Sequence, residues 1–115
     1  MDDGFLITTT ADQAGVYTPP LELEAGDNAV FADFQVLRVT GDVTLSYWVE
    51  ESIDGACWEP RDRVDGADLV VVGDSGGLMS SVLGGIVVRF GVAITDQSGT
   101  GGSILLHVAM NPARR

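Results

Sequence analysis

Apolar and polar residues alternate with a period of two along most of this chain, most clearly over residues 43–51. There Val43, Leu45, Tyr47 and Val49 fall on one side, and Thr44, Ser46, Trp48 and Glu50 on the other. Successive side chains of an extended chain point to opposite faces, so this period predicts a half-buried strand and argues against a helix. The same reading gives a β-branched strand over Phe5–Thr10 and an acidic, half-exposed edge strand over residues 21–24. Residues 30–39 place Phe34 and Val36 opposite Gln35 and Leu37. Residues 85–95 turn Ile86, Val88, Phe90, Val92 and Ile94 inward, and residues 103–110 align Ile104, Leu106, Val108 and Met110. The unbroken apolar run 69–72 predicts a buried strand, and 78–83 a weaker one.

Turn formers separate these segments. Pro19-Pro20 makes a stiff extended link, and Gly26-Asp27-Asn28, Gly41-Asp42, Gly73 to Gly77, Gly84-Gly85 and residues 96–102 mark reversals. Asp54-Gly55 is the strongest hairpin signal. Residues 56–58 would begin the return strand, with Pro60 ending it or placing it at an edge, and residues 61–68 read as a charged loop. About eight strands, with turns every 8 to 12 residues or so, predict an all-β fold, a single antiparallel β-sandwich. Jelly-roll-like and immunoglobulin-like connectivities are both open. At 115 residues the chain is read as one domain spanning 1–115, with a short flexible N-terminus and a basic tail at Arg114-Arg115.

Charge narrows the partners. A formal net charge of −11 disfavours nucleic acid, whose phosphates would be repelled, and anionic membrane surfaces likewise. No basic segment followed by an apolar run marks a secretory signal, and no apolar stretch approaches spanning length. All 6 cationic residues are arginines, whose planar, bidentate groups suit interfaces. Cys57 is the one cysteine, which leaves no internal disulfide.

Candidate chemistry is sparse. Gly73-Asp74-Ser75-Gly76-Gly77 reproduces the GDSGG surroundings of the trypsin-like nucleophile and also satisfies G-x-S-x-G. The single histidine, His107, follows Ser75 instead of preceding it, and no helix is expected after the serine. A glycine-rich turn is therefore the expectation, and no enzyme activity or cofactor is expected. Asp62, Asp65 and Asp68 are weak calcium candidates on oxygen-ligand grounds alone. Otherwise no metal is expected.

Glu50-Glu51-Ser52-Ile53-Asp54-Gly55 followed by Trp58 resembles a motif of small β-sandwich structural proteins of tailed phages and prophages, among head-decoration and tail-associated components. A more distant similarity is to discoidin-like, galactose-binding-type sandwiches. The resemblance implies that Ser52, Asp54, Gly55 and Trp58 form a structural turn with the tryptophan packed beneath it. It also implies a structural or assembly protein of a phage or phage-like particle, made in the host cytoplasm and located in the virion. Its partners would be further copies of itself and a larger capsid or tail protein. Trp48, Phe31, Arg38, Arg89, Leu105 and His107 are the candidate interface residues. The alternative is a carbohydrate-binding sandwich module, with or without calcium, which would need aromatic rings open to a sugar.

Overall fold

A computed structural model describes residues 5–10, 15–41, 43–68, 72–96 and 102–114. Its strands are β1 (Phe5–Thr10), β2 (Val16–Tyr17), β3 (Leu21–Glu22), β4 (Ala29–Thr40), β5 (Val43–Ser52), β6 (Glu59–Asp68), β7 (Ser75–Ser81), β8 (Val87–Asp96) and β9 (Ser103–Ala113). Sheet A has the order β1-β9-β4-β7, and sheet B the order β2-β8-β5-β6 with β3 also paired to β8. Every pairing is antiparallel.

β2 and β3 act as one strand broken at Pro19-Pro20. Proline has no N–H to give to a ladder. At the break the Thr18 N–H donates to the Phe90 carbonyl at 2.9 Å, and the Phe90 N–H donates to Thr18 Oγ1 at 3.0 Å. Counted this way the described residues form eight strands, and consecutive strands mostly cross from one sheet to the other. That order is jelly-roll connectivity, which resolves the two expected alternatives against the immunoglobulin-like one.

The inner faces meet in one core. Phe90, Leu45, Ile104 and Leu106 are among its largest fully buried side chains. Phe34 packs edge-on to Tyr47 with ring centroids 4.7 Å apart, and Phe90 lies about 6 Å from both. Gly76 makes room for this cluster, since a Cβ there would lie 2.8 Å from the Phe34 ring. β4 alternates buried and exposed until Leu37, where a bulge inserts one residue between Val36 and Arg38 against β9.

Three expectations are corrected. Residues 61–68 are not a loop but most of β6, which pairs with β5 through two register shifts. Their side chains hide this, because an edge strand guarded by charge shows no apolar alternation. Pro60 does sit on that edge strand, as expected. Ile86 is 56% exposed and precedes β8 instead of facing the core. Of the run 69–72, residues 69–71 lie outside the described residues, and Val72 stands exposed in a turn.

Candidate interaction surface

The outer face of sheet B is covered by its own side chains. Trp48 lies across Gly91 of the neighbouring strand, where a Cβ would come within 2.6 Å of the indole. Its Nε1 donates to Glu50 Oε2 at 2.8 Å. Tyr17 meets the indole edge-on at 6.0 Å, and the Arg63 guanidinium sits 4.4 Å over the ring. Arg89 lies against both Tyr17 and Trp58, at 3.8 and 4.2 Å from their centroids, while its Nη2 holds Glu50 Oε1 at 2.7 Å. Burial and then the Glu50 charge raise the Tyr17 hydroxyl above the usual tyrosine value.

Trp48 was expected to stand on an open face as a contact, but it is 5% exposed. The period of two sets its outward direction, while its cover comes from Gly91, Arg63 and Tyr17 on other strands. Gly91→Ala is therefore expected to unseat the indole and cost about 1–3 kcal/mol by overpacking. A urea midpoint equal to that of the parent chain would show that Trp48 does not depend on this gap.

At one end of the sandwich, Ser52 and Asp54 shape the β5–β6 turn. Ser52 Oγ accepts from the Asp54 and Gly55 N–H groups at 3.2 and 2.8 Å, and Asp54 Oδ1 accepts from those of Ala56 and Cys57 at 2.9 Å. The donations from Cys57, Ala56 and Ser52 hold the Asp54 carboxyl below its usual range. Gly55 takes φ 77°, a left-handed conformation that favours glycine. Trp58 lies against Arg89 on the outer face. Asp54→Ala removes the acceptor of these bonds and is expected to destabilise the chain modestly, as the loss of a helix cap does. Chemical denaturation checks this, and no change would contradict the assignment of the turn to Asp54.

Behind the turn lies a cleft of about 260 Å³ lined by Glu51, Ile53, Cys57, Arg61 and Leu83. Glu51 is nearly buried and accepts from the Arg61 guanidinium, the Leu83 N–H at 2.8 Å and the Gly85 N–H. This carboxylate thereby ties the 83–85 loop to β5.

The outer face of sheet A is different. It brings Phe31, Arg38, Leu105 and His107 onto one surface, whereas Arg89 and Trp48 lie on the other sheet. Leu6 is 67% exposed, Phe31 43% and Met79 36%, and Leu37 and Leu105 extend the apolar area. Among the described outward positions of its four strands, Asp33 and Arg38 carry the only full charges, beside the single imidazole of His107. Exposed large apolar side chains gathered on one face, here interleaved with polar Gln35, Ser75 and Asn111, are a feature of contact surfaces.

The remaining candidates do not converge. Asp62 and Asp65 sit along β6, Asp65 pairing with Arg63 at 2.7 Å, and the Asp68 side chain lies outside the described residues. No group of 3 or more potential metal ligands occurs among the described residues. Ser75 begins β7 and pairs with Gln35, which pairs on its other side with His107. With β4 between them, serine and histidine stand roughly two strand spacings, about 9.5 Å, apart.

The sequence matches no protein-family model and no curated protein. Among solved structures, the chain superposes on the crystal structure of an infectious bursal disease virus VP2 subviral particle. The alignment has a TM-score of 0.59 at 7% identity and covers 98% of this chain and 30% of that one. It superposes likewise on the structure of the Gt strain of infectious bursal disease virus, with TM-score 0.58 and 9% identity over 94% of this chain and 30% of that one. At such identity the likeness is one of fold. This chain therefore corresponds to less than a third of the chains it resembles, and the similarity is to their β-sandwich architecture.

Proposed function

We propose that this chain is an assembly subunit of a phage or phage-like particle, decorating or joining its shell through contacts between copies and with a larger capsid or tail protein. The observation that carries the reading is the outer face of sheet A, which sets exposed Leu6, Phe31 and Met79 among uncharged polar residues and, among the described residues, bears one carboxylate and one guanidinium on a molecule of net charge −11. Charge of one sign holds copies apart in solution, so an area without it is where a like-charged molecule can approach. The jelly-roll fold shared with virus structures supports the same reading by analogy. The reading assigns no catalytic step.

The carbohydrate-binding alternative needs rings open to a sugar. Tyr17 and Trp58 are capped by Arg89, and Trp48 by Arg63, so nothing in the geometry favours it.

Light scattering across a concentration series tests the proposal. A dimer or larger assembly, unchanged by a chelator, is the expected result. A strict monomer at every concentration would overturn it.

A further inference from the structure

The strand register of sheet A has a self-complementary pattern. Its central rung runs Leu6, His107, Gln35, Ser75 across β1, β9, β4 and β7. The rung on one side carries Ala109, Asp33 and Gly77, and the rung on the other Thr8, Leu105 and Arg38. The bulge at Leu37 produces this spacing by placing Arg38 opposite Leu105. The Asp33 carboxylate lies against Gly77, where any side chain would collide with it.

We propose that two copies of this chain pack sheet A on sheet A about a two-fold axis that runs along the central rung, between the two sheets, with β4 antiparallel over β4. This rests on the reading of the chain as an assembling subunit and names the surface and geometry of that assembly. A two-fold axis there exchanges the flanking rungs. Asp33 of each copy then faces Arg38 of the other, and small Ala109 faces large Leu105. Leu6 and Gln35 meet their own counterparts. An isologous contact requires such self-complementarity. Sheets stacked face to face lie about 10 Å apart with strands within roughly 30° of alignment, which leaves neighbouring rungs in contact despite twist.

Charge complementarity selects the second copy as occupant. Each copy carries −11 overall, yet this face offers one carboxylate and one guanidinium on opposite sides of the axis. Sheet B offers no equivalent, because its outer face is filled by Trp48, Arg63 and Arg89, and its β6 edge is charged and carries Pro60.

Charge exchange tests the geometry. Asp33→Arg and Arg38→Asp alone each set like charges opposite one another twice per dimer, so each is expected to weaken association at least about tenfold. The double variant Asp33→Arg/Arg38→Asp is expected to recover the parent affinity to within about threefold, since the exchange restores opposite charges. Both positions are exposed, and unchanged thermal unfolding of each variant at low concentration will show that the fold is intact. Association unaffected by the single exchanges, or not recovered by the double one, would overturn this geometry while leaving an assembling subunit. A β1-to-β1 edge pairing would give the first of these results. A parent chain that stays monomeric would overturn both.

Discussion

Truncation of Phe90 to alanine is expected to cost about 3–5 kcal/mol, the upper range for removing a fully buried aromatic. Phe90 has no exposed surface and stands in the central strand pair β5–β8, with Phe34 and Tyr47 against its ring. Phe34 reaches the ring from sheet A and Tyr47 from the neighbouring strand of sheet B, so the deletion leaves a gap between rings anchored on different strands. A domain of this size is commonly stable by only about 5–15 kcal/mol. Urea unfolding of Phe90→Ala should therefore show either a much lower midpoint or an unfolded chain. A loss under about 1 kcal/mol would mean that the core can collapse around the deletion.

Replacing Glu51 by alanine is expected to cost about 3–5 kcal/mol for a different reason. The change leaves the Arg61 guanidinium and the Leu83 and Gly85 N–H groups without their acceptor. Burial is the largest influence on this carboxyl and would raise it. The Leu83 N–H, Arg61 and the Gly85 N–H together outweigh burial and hold it below its usual value. A carboxyl with a depressed folded value binds protons more readily unfolded. Its stabilisation is therefore complete above the unfolded value, about 4.3, and is lost as pH falls through the folded value. Glu51→Gln should flatten the pH dependence of stability in that acidic window. An unchanged acid limb in the variant would show that Glu51 does not supply it.

The fold was legible where one face of a strand is buried. The alternation in β4, β5, β8 and β9 announced the core face residue by residue, and Asp54-Gly55 announced the hairpin. β6 was illegible because Arg61, Asp62, Arg63 and Asp65 mask a strand that is held through its backbone at a guarded edge. The interaction surface was half legible. Phe31, Arg38, Leu105 and His107 could be singled out as exposed or polar exceptions. That they share a face with Leu6 and Met79 depends on β4 pairing with a strand far along the chain, which local pattern does not encode. Trp48 and Arg89 were singled out for the same chemical reasons and were covered within the chain, because aromatic and arginine groups that suit a partner also suit one another.

Hydroxyl-radical footprinting at low and high protein concentration tests the association surface most directly. Phe31, Met79 and His107 report on the outer face of sheet A, and Tyr17 and Trp58 on that of sheet B. The account predicts that Phe31, Met79 and His107 lose reactivity as concentration rises, while Tyr17 and Trp58 keep theirs. Protection of Tyr17 and Trp58 in place of the sheet A residues, or no change at any of them, would contradict it.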